Sequence, residues 1–461
     1  MTFDLGEVLA SRRGENFQLY SRHINPQLVR VLRSIGFDRF YTRAEGPYLY
    51  DADGRRYLDF LSGFGVFGLG RGHPVVKRAL HEAIDLDLPN LIQMDAALLP
   101  GVLAEELLKR CHPGMGRVCF TSSGTEAVEA ALKFTRAATK RPRILYCDHA
   151  FHGLTYGSLS LNGGKDFRAG FGPLLPGCDE VPFGDAEALE RELARRDVAA
   201  FVVEPIQGKG VNVAPQAYWD SVQELCRRHG TLLVVDEVQT GLGRTGKLWA
   251  HEHYGLVPDV MTVSKALSGG YVPVGAMICS EEVSDAVYSS MERAMAHSST
   301  FKNNQLAMVA GLATLQTIDD EELVDKARIT GVAFEKALAP LVERYELFHE
   351  VRGKGLMIGL EFGAPTSRRL RARFRMLEMA HTGLFSQTIV GPLFQRHGIL
   401  TQVAGDGMNV VKLLPPLVCG QEHVDYFVEA LDDVLCDAHE GSSLVFEFGK
   451  TLARASLHRD R

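Results

Sequence analysis

Residues 232–275 read LLVVDEVQTGLGRTGKLWAHEHYGLVPDVMTVSKALSGGYVPVG, and their pattern decides the fold. The four apolar residues Leu232 to Val235 are too few for a helix and suit a strand buried on both faces. That strand stops abruptly at Asp236-Glu237, and a second apolar run, Val260 to Val263, stops in the same way at Ser264-Lys265. Gly and Pro flank both. Two such strands set an acid and an amine along the carboxyl edge of one parallel sheet, which is where open α/β sheets bind ligands.

An amine at a strand end can form a Schiff base with an aldehyde. An aspartate nearby can hold a protonated pyridine nitrogen, and that pairing is what pyridoxal phosphate chemistry requires. A lone strand-end lysine is more often a solvated surface group, so the assignment depends on the rest of the chain. The same stretch also offers a competing motif, because Gly241 to Gly246 matches G-x-G-x-x-G, the dinucleotide fingerprint. That fingerprint needs a strand running straight into its glycines and a helix leaving them. Here Asp-Glu-Val-Gln-Thr intervenes, which would bring two carboxylates toward a pyrophosphate, and Lys247 to Tyr254 has no clear helical stripe. A Gly-rich turn is the better reading.

Composition sets the class. The chain has 461 residues, 46% apolar and 23% charged, as expected of a globular protein of two or three domains. Its net charge of −7 argues against general nucleic-acid binding. The opening MTFDLGEVLA is acidic before it is apolar, unlike a signal peptide, and no run approaches a membrane span. Eight scattered cysteines with no C-x-x-C favour reduced thiols in the cytoplasm over disulfides or a zinc site.

Residues 1–75 read as an N-terminal arm, with a helix over Pro26 to Ile35, followed by part of a small domain. A hairpin is expected around the Asp53-Gly54 turn, and the glycines at 63, 65, 68, 70 and 72 serve either as loop punctuation or as close approaches to a ligand. Residues 76–325 alternate strand and helix, the pattern of an α/β domain around a mostly parallel sheet. Expected strands are Val118 to Phe120, Ile144 to Cys147, Ala200 to Val203, Leu232 to Val235, Val260 to Val263 and Gly275 to Ile278. Residues 326–461 change to an α+β mixture, so the small domain is built from both chain ends. Within the large domain, Thr121-Ser122-Ser123-Gly124-Thr125-Glu126 follows a strand and opens a helix whose Ala127, Ala130, Ala131 and Phe134 recur at helical spacing. Free amides there make a phosphate seat, or Ser123 is an ordinary N-cap. Phe151-His152-Gly153 offers an aromatic that either stacks on a flat ring or belongs to the core.

Taken together in order, D-E-V-Q-T-G-x-G-R-T-G, the S-K pair, S-S-G-T-E-A, F-H-G, V-E-P-I-Q-G, His297 to Phe301 (H-x-S-T-F) and Pro415 to Leu417 resemble the class III pyridoxal-phosphate aminotransferases of fold type I, from about Gly46 to Leu417. The resemblance implies roles at the matching positions. Lys265 would carry the Schiff base and shuttle a proton, and Asp236 would keep the cofactor's ring nitrogen protonated. Val238 and Phe151 would sandwich the ring, and Gln239 would bond its phenolic oxygen. Ser123, Gly124 and Thr125 would seat the phosphate, with His152 and Glu204 among the cofactor contacts. Thr300 would reach the phosphate of a partner subunit, so a cytoplasmic homodimer with sites at its interface is expected. The implied reaction is ping-pong transfer of an amino group from a small amine or amino acid to an aldehyde or ketone, as in the synthesis of a specialised metabolite. Two alternatives stand beside it: a glutamate-dependent ornithine, acetylornithine or putrescine type, and an aminomutase or racemase. A non-catalytic binding protein would need neither Lys265 nor Asp236.

Two departures bear on substrate. Many ω-aminotransferases pair a glutamate with an arginine that grips a substrate carboxylate. Lys209 and Lys412 stand at those positions here, beside Phe64 as a further candidate substrate contact, so the bidentate fork is gone. Two lysines would repel, and each is expected to turn to solvent or find another acid. The second departure is Ser367 to Thr382, with arginines at 368, 369, 371, 373 and 375. It reads as a solvated helix in preference to a contact for an anionic substrate or carrier.

Overall fold

The computed structural model describes residues 3–405 and 407–440. Its centre is a seven-stranded sheet in the order Arg117–Thr121, Gly275–Cys279, Val260–Val263, Leu232–Asp236, Val198–Val203, Arg143–Cys147, Cys178–Val181. From Val260–Val263 outward to Cys178–Val181 every pairing is parallel. Gly275–Cys279 runs antiparallel to both of its neighbours. All six expected strands are present. The seventh, Cys178–Val181, is an edge strand with one buried residue in four, so its sequence carries no apolar run to announce it. The central strands are buried throughout, which is why they read as near-continuous apolar runs, VAAFVV, VMTV and GAMIC, rather than as an alternation.

The register of this sheet places the acid. Val235 pairs with Met261 and Asp236 with Thr262, so Asp236 is the last ladder residue of its strand and stands beside the strand that leads to Lys265. The helix Gly124–Thr139 packs on the sheet through Ala127, Ala130, Ala131 and Phe134, all buried. The G-x-G-x-x-G stretch is a series of turns, with Gly243 and Gly246 at φ 89° and 80°, leading to a short 3₁₀ helix at Ala250–Tyr254. Those backbone conformations suit glycine and do not open a dinucleotide-binding helix.

Two smaller sheets complete the architecture. In one, the hairpin Tyr48–Asp51 and Arg56–Asp59 continues Tyr41–Glu45 on one side and takes Ile399–Leu400 in parallel on the other, joining the two chain ends. The other holds Phe348–Lys354, Met357–Phe362, Val410–Leu413 and Gln402–Val403. A shared core that includes Phe60, Leu267, Phe334 and Phe427 ties these sheets to the large one. The arginine-rich segment forms the helix Arg368–Ala380, with Leu370 and Phe374 inward and Arg368, Arg369 and Arg375 exposed, as a solvated amphipathic helix requires. No helix among the described residues is long and apolar enough to cross a membrane.

Candidate active site

Asp236 is 4% exposed and fully engaged. Its Oδ1 accepts from the Val238 amide at 3.0 Å and from the Thr262 hydroxyl at 2.9 Å. Its Oδ2 lies 2.7 Å from His152 Nδ1. A carboxylate only accepts, so Nδ1 carries the hydrogen. Burial pulls the His152 imidazole down, but the bond to Asp236, that carboxylate's charge and Glu204 outweigh it and hold the pKa above its ordinary value. The other ring nitrogen, Nε2, is buried without a hydrogen-bond partner. The sequence placed His152 among the cofactor contacts; here it braces the acid.

Lys265 follows its strand by two residues and adopts φ 43°, in the left-handed region that a side chain rarely occupies. Among the described residues no hydrogen bond or ion pair holds its ammonium. Burial pushes its pKa below the ordinary lysine value, while Asp236 and Glu204 oppose the shift. An amine held at a strand end with a lowered pKa is a nucleophile in waiting. Beside it, Ser123 caps the helix by accepting from the Glu126 amide at 3.4 Å, and Glu126 returns to the Ser122 amide at 2.7 Å. The Gly124 and Thr125 amides are left without acceptors among the described residues, at the positive end of a sixteen-residue helix. Gly124 also has no room for a side chain: a Cβ would come within 2.8 Å of Val238 Cγ1. The Thr125 hydroxyl lies 2.6 Å from Ser158 Oγ and 2.8 Å from Thr155 Oγ1. Glu129 accepts from the Gly157 and Ser158 amides at 2.8 and 3.1 Å, which fixes that loop.

Glu204 clamps two loops, accepting from the Phe151 amide at 3.1 Å and the Gly208 amide at 2.8 Å. Burial raises its pKa, against which His152 works. Lys412 departs from the expectation set by its charge. It is 5% exposed on a wholly buried strand and has turned neither to solvent nor to an acid. Its ammonium instead donates to the Gly208 carbonyl at 2.6 Å and to Gln239 Oε1 at 3.1 Å. The physical reason is position, since the Val410–Leu413 strand pairs on both sides and leaves this side chain only the site's interior. Burial, with Lys265 adding to it, pushes the Lys412 pKa down to about 7. Gln239 passes the chain of bonds on, donating from Nε2 to the Phe64 carbonyl at 3.0 Å, with Phe64 at φ 61°. Lys209 goes elsewhere, reaching Asn162 Oδ1 at 3.1 Å with its ammonium 4.4 Å above the Phe167 ring and 5.6 Å above the Phe151 ring.

The structure therefore groups Asp236, His152, Lys265, Glu204, Gln239 and Lys412, with Ser123, Gly124, Thr125, Phe151 and Val238 around them. Thr300 stands apart. It is exposed, and its carbonyl accepts from Gln93 at 3.0 Å. Sequence reasoning missed two buried supports, Glu237 and Arg244, and the hydroxyl pair of exposed Thr155 and buried Ser158. Glu237 accepts from the His251 amide at 2.8 Å and His251 Nδ1 at 3.0 Å, holding the turn after the acid. Arg244 donates to the Leu356 and Pro415 carbonyls, and burial lowers its pKa to about 10. The turn motif that follows Asp236 was the available signal for both, but their partners lie too far along the chain to be inferred.

The chain is similar to known proteins along most of its length. The family model Aminotransferase class-III matches residues 33–435. The chain is 38% identical over 457 residues to the aminotransferase PigE of a Serratia species, an alignment covering 92% of this chain but 54% of that protein. It is 37% identical to an acetylornithine aminotransferase of Methanocaldococcus jannaschii, covering 85% of this chain and 92% of the relative. Among solved structures, an ornithine aminotransferase from Toxoplasma gondii superposes with a TM-score of 0.82 at 28% identity, covering 96% and 99% of the two chains. An amine transaminase from an uncultivated Pseudomonas species, solved with pyridoxal phosphate bound, superposes with a TM-score of 0.76 at 30% identity over 87% and 95%.

Proposed function

The chain belongs to the class III aminotransferases, and on that premise we propose a role for each residue of the site and a class of substrate. The enzyme is a pyridoxal-phosphate-dependent transaminase of fold type I. Bound pyridoxal phosphate supplies an aldehyde that takes up the substrate amine and a protonated ring that accepts the electron pair left when the substrate carbon loses its proton. The residues present suit it. A lysine with a lowered pKa, a buried carboxylate one strand away and two unpaired helix amides answer its aldehyde, ring nitrogen and phosphate.

In this reading Lys265 Nζ would hold the cofactor through its aldehyde and would carry the proton taken from the substrate carbon. Asp236, oriented by Thr262, the Val238 amide and His152, keeps a proton on the ring nitrogen. The Gly124 and Thr125 amides, with Ser123 as the cap, hold the phosphate. Phe151 and Val238 would contact the cofactor's ring, and Gln239 would bond its phenolic oxygen. Glu204 ties the Phe151 and Gly208 loops together by accepting from both amides. The juxtaposition of Asp236 and Lys265 at neighbouring strand ends carries this reading. The enzyme is read as a cytoplasmic homodimer in which Thr300 completes the partner's phosphate site. The 76–325 segment serves as the cofactor domain, with 1–75 and 326–461 forming the arm and small domain.

The substrate class follows from Lys412. Its ammonium is spent on a backbone carbonyl and an amide oxygen, so it offers no free two-point grip for a carboxylate. Glutamate is accordingly not a strongly preferred donor. The donor is an amine or amino acid and the acceptor an aldehyde or ketone, a choice consistent with a role in specialised-metabolite synthesis. A glutamate-dependent acetylornithine-type reaction is the second reading, supported by the names of several relatives. A screen of donors added singly to the holoenzyme, following conversion of the cofactor's aldehyde absorbance to that of its amine form, tests the proposal. Conversion by simple amines supports it, conversion by glutamate alone favours the second reading, and conversion by none refutes both.

A further inference from the structure

Lys209 stands where many ω-aminotransferases carry a glutamate, and its charge made it a candidate substrate contact. The structure gives its ammonium another use. The side chain is half-buried, and Nζ donates to Asn162 Oδ1 at 3.1 Å while lying 4.4 Å from the centre of the Phe167 ring and 5.6 Å from that of Phe151. An amide oxygen and the faces of two aromatic rings are all electron-rich, so these three surfaces favour a cation and would repel a carboxylate. Asn162 is wholly buried and its Oδ1 also accepts from the Gly164 amide at 3.1 Å, which fixes the acceptor. Gly164 leaves the space that the ammonium fills: a Cβ there would fall 2.5 Å from Lys209 Nζ and 3.2 Å from Phe167 Cδ2.

The two rings beneath the ammonium form one unit. Phe151 and Phe167 meet edge to face, with centroids 5.6 Å apart and planes at 74°. The helical turn Lys165–Arg168, which carries Phe167, has no buried residue and is tied by Arg168 to the Tyr146 hydroxyl at 2.7 Å, so the Phe167 ring has no core packing of its own to set its angle. The Phe151 backbone is held by Glu204, which also accepts from the amide of Gly208, the residue before Lys209. One carboxylate thus fixes the spacing between Phe151 and the loop from which Lys209 reaches back over its ring. We infer that Lys209 is a positioning residue: through Asn162 and Phe167 it sets the angle of the Phe151 ring, and with it the surface that Phe151 offers to the cofactor, and it does not bind substrate. The inference rests on the transaminase reading above, in which Phe151 contacts the cofactor's ring.

The test compares the parent holoenzyme with Lys209→Gln, Lys209→Glu, Phe167→Leu and the double variant Lys209→Gln/Phe167→Leu, with melting curves confirming that each is folded. Three quantities are read: the rate at which pyridoxal phosphate leaves, the visible circular dichroism of the bound cofactor, and single-turnover rates with one carboxylate-bearing and one neutral donor. Lys209→Gln should release the cofactor about fivefold faster, with an altered dichroism band, as the loss of a cation held over aromatic rings requires. Lys209→Glu should release it faster still, because the rings repel an acid and not an amide. Phe167→Leu should reproduce the Lys209→Gln effect, and the double variant should be no worse than either single change, since both residues act through one contact. The ratio of the two donor rates should stay within about threefold of the parent's throughout. Parental release and dichroism in Lys209→Gln overturn the inference, and so do single effects that multiply in the double variant. A donor ratio that moves further than this makes Lys209 a substrate contact and overturns it as well. Each of those results leaves the transaminase reading intact, whereas a parent protein that binds no pyridoxal phosphate overturns the reading itself, and the inference with it.

Discussion

Replacing Asp236 by asparagine is the most informative single change, because the structure says which bonds survive and which charge is lost. Asparagine has one acceptor oxygen where aspartate has two. That oxygen can keep the Val238 amide and the Thr262 hydroxyl, now at 3.0 and 2.9 Å, only by turning its NH₂ toward His152 Nδ1. His152 can accept from that NH₂ by moving its proton to Nε2, which has no competing partner. The fold and cofactor binding therefore survive, and what disappears is the negative charge. A carboxylate within hydrogen-bond reach favours the cationic form of its neighbour by about 1–3 pKa units. At about 1.36 kcal/mol per unit, removal costs roughly 1.4–4 kcal/mol of ring protonation, or about 10- to 1000-fold in kcat. Single-turnover rates with one donor, beside the bound-cofactor spectrum and the ¹⁵N shifts of His152, give the measurement. An Asp236→Asn enzyme that keeps its cofactor and transaminates within about threefold of the parent would refute the electron-sink role.

The remaining expectations concern the neighbours of that acid. Because the folded pKa of His152 is raised, its pairing with Asp236 contributes stability that is fully present below the unfolded value near 6.5 and is lost as pH rises through the folded value. His152→Asn should therefore lower the melting temperature more at pH 6 than at pH 9, and an equal drop at both would contradict the charged pair. Lys412→Ala should change the ratio of kcat/KM for carboxylate-bearing and neutral donors by only about tenfold, roughly 1.4 kcal/mol; a thousandfold loss confined to 2-amino acids would make it a true carboxylate anchor. Mixing Lys265→Ala and Thr300→Ala chains should raise activity above either parent, since one site of each heterodimer regains both residues. With subunit exchange confirmed and Thr300→Ala itself impaired, no rise would place Thr300 in its own subunit's site.

The parts of the fold visible in the sequence were those written as local pattern. Leu232 to Val235 and Val260 to Val263 are buried on both faces, so hydrophobicity alone announced them and their ends located Asp236 and Lys265. The direction of Gly275–Cys279 was not visible, because an apolar run carries no sign of whether its neighbours run with it or against it. The edge strand Cys178–Val181, with its polar residues, gave no run at all. In the site, the motif supplied the types of residue but not their pairings. Glu204 meets Phe151, His152 meets Asp236 and Lys412 meets Gly208 across sequence separations that no local rule spans. The expectation for Lys412 failed for a related reason. Charge alone argues for solvent, but a lysine in the middle of a buried strand is fixed by its neighbours, and two neutral oxygens were close enough to receive it.

The claim on which everything else rests is that Lys265 is the amine that bonds the cofactor. The site holds a second buried lysine of lowered pKa, Lys412, which feels the charge of Lys265, so the assignment has a genuine competitor within the same site. Borohydride reduction of the holoenzyme, followed by peptide mapping, separates them. The account predicts a single pyridoxyl label on Lys265, absent in Lys265→Ala and retained in Lys412→Ala. A label on Lys412 or on any other lysine would contradict it.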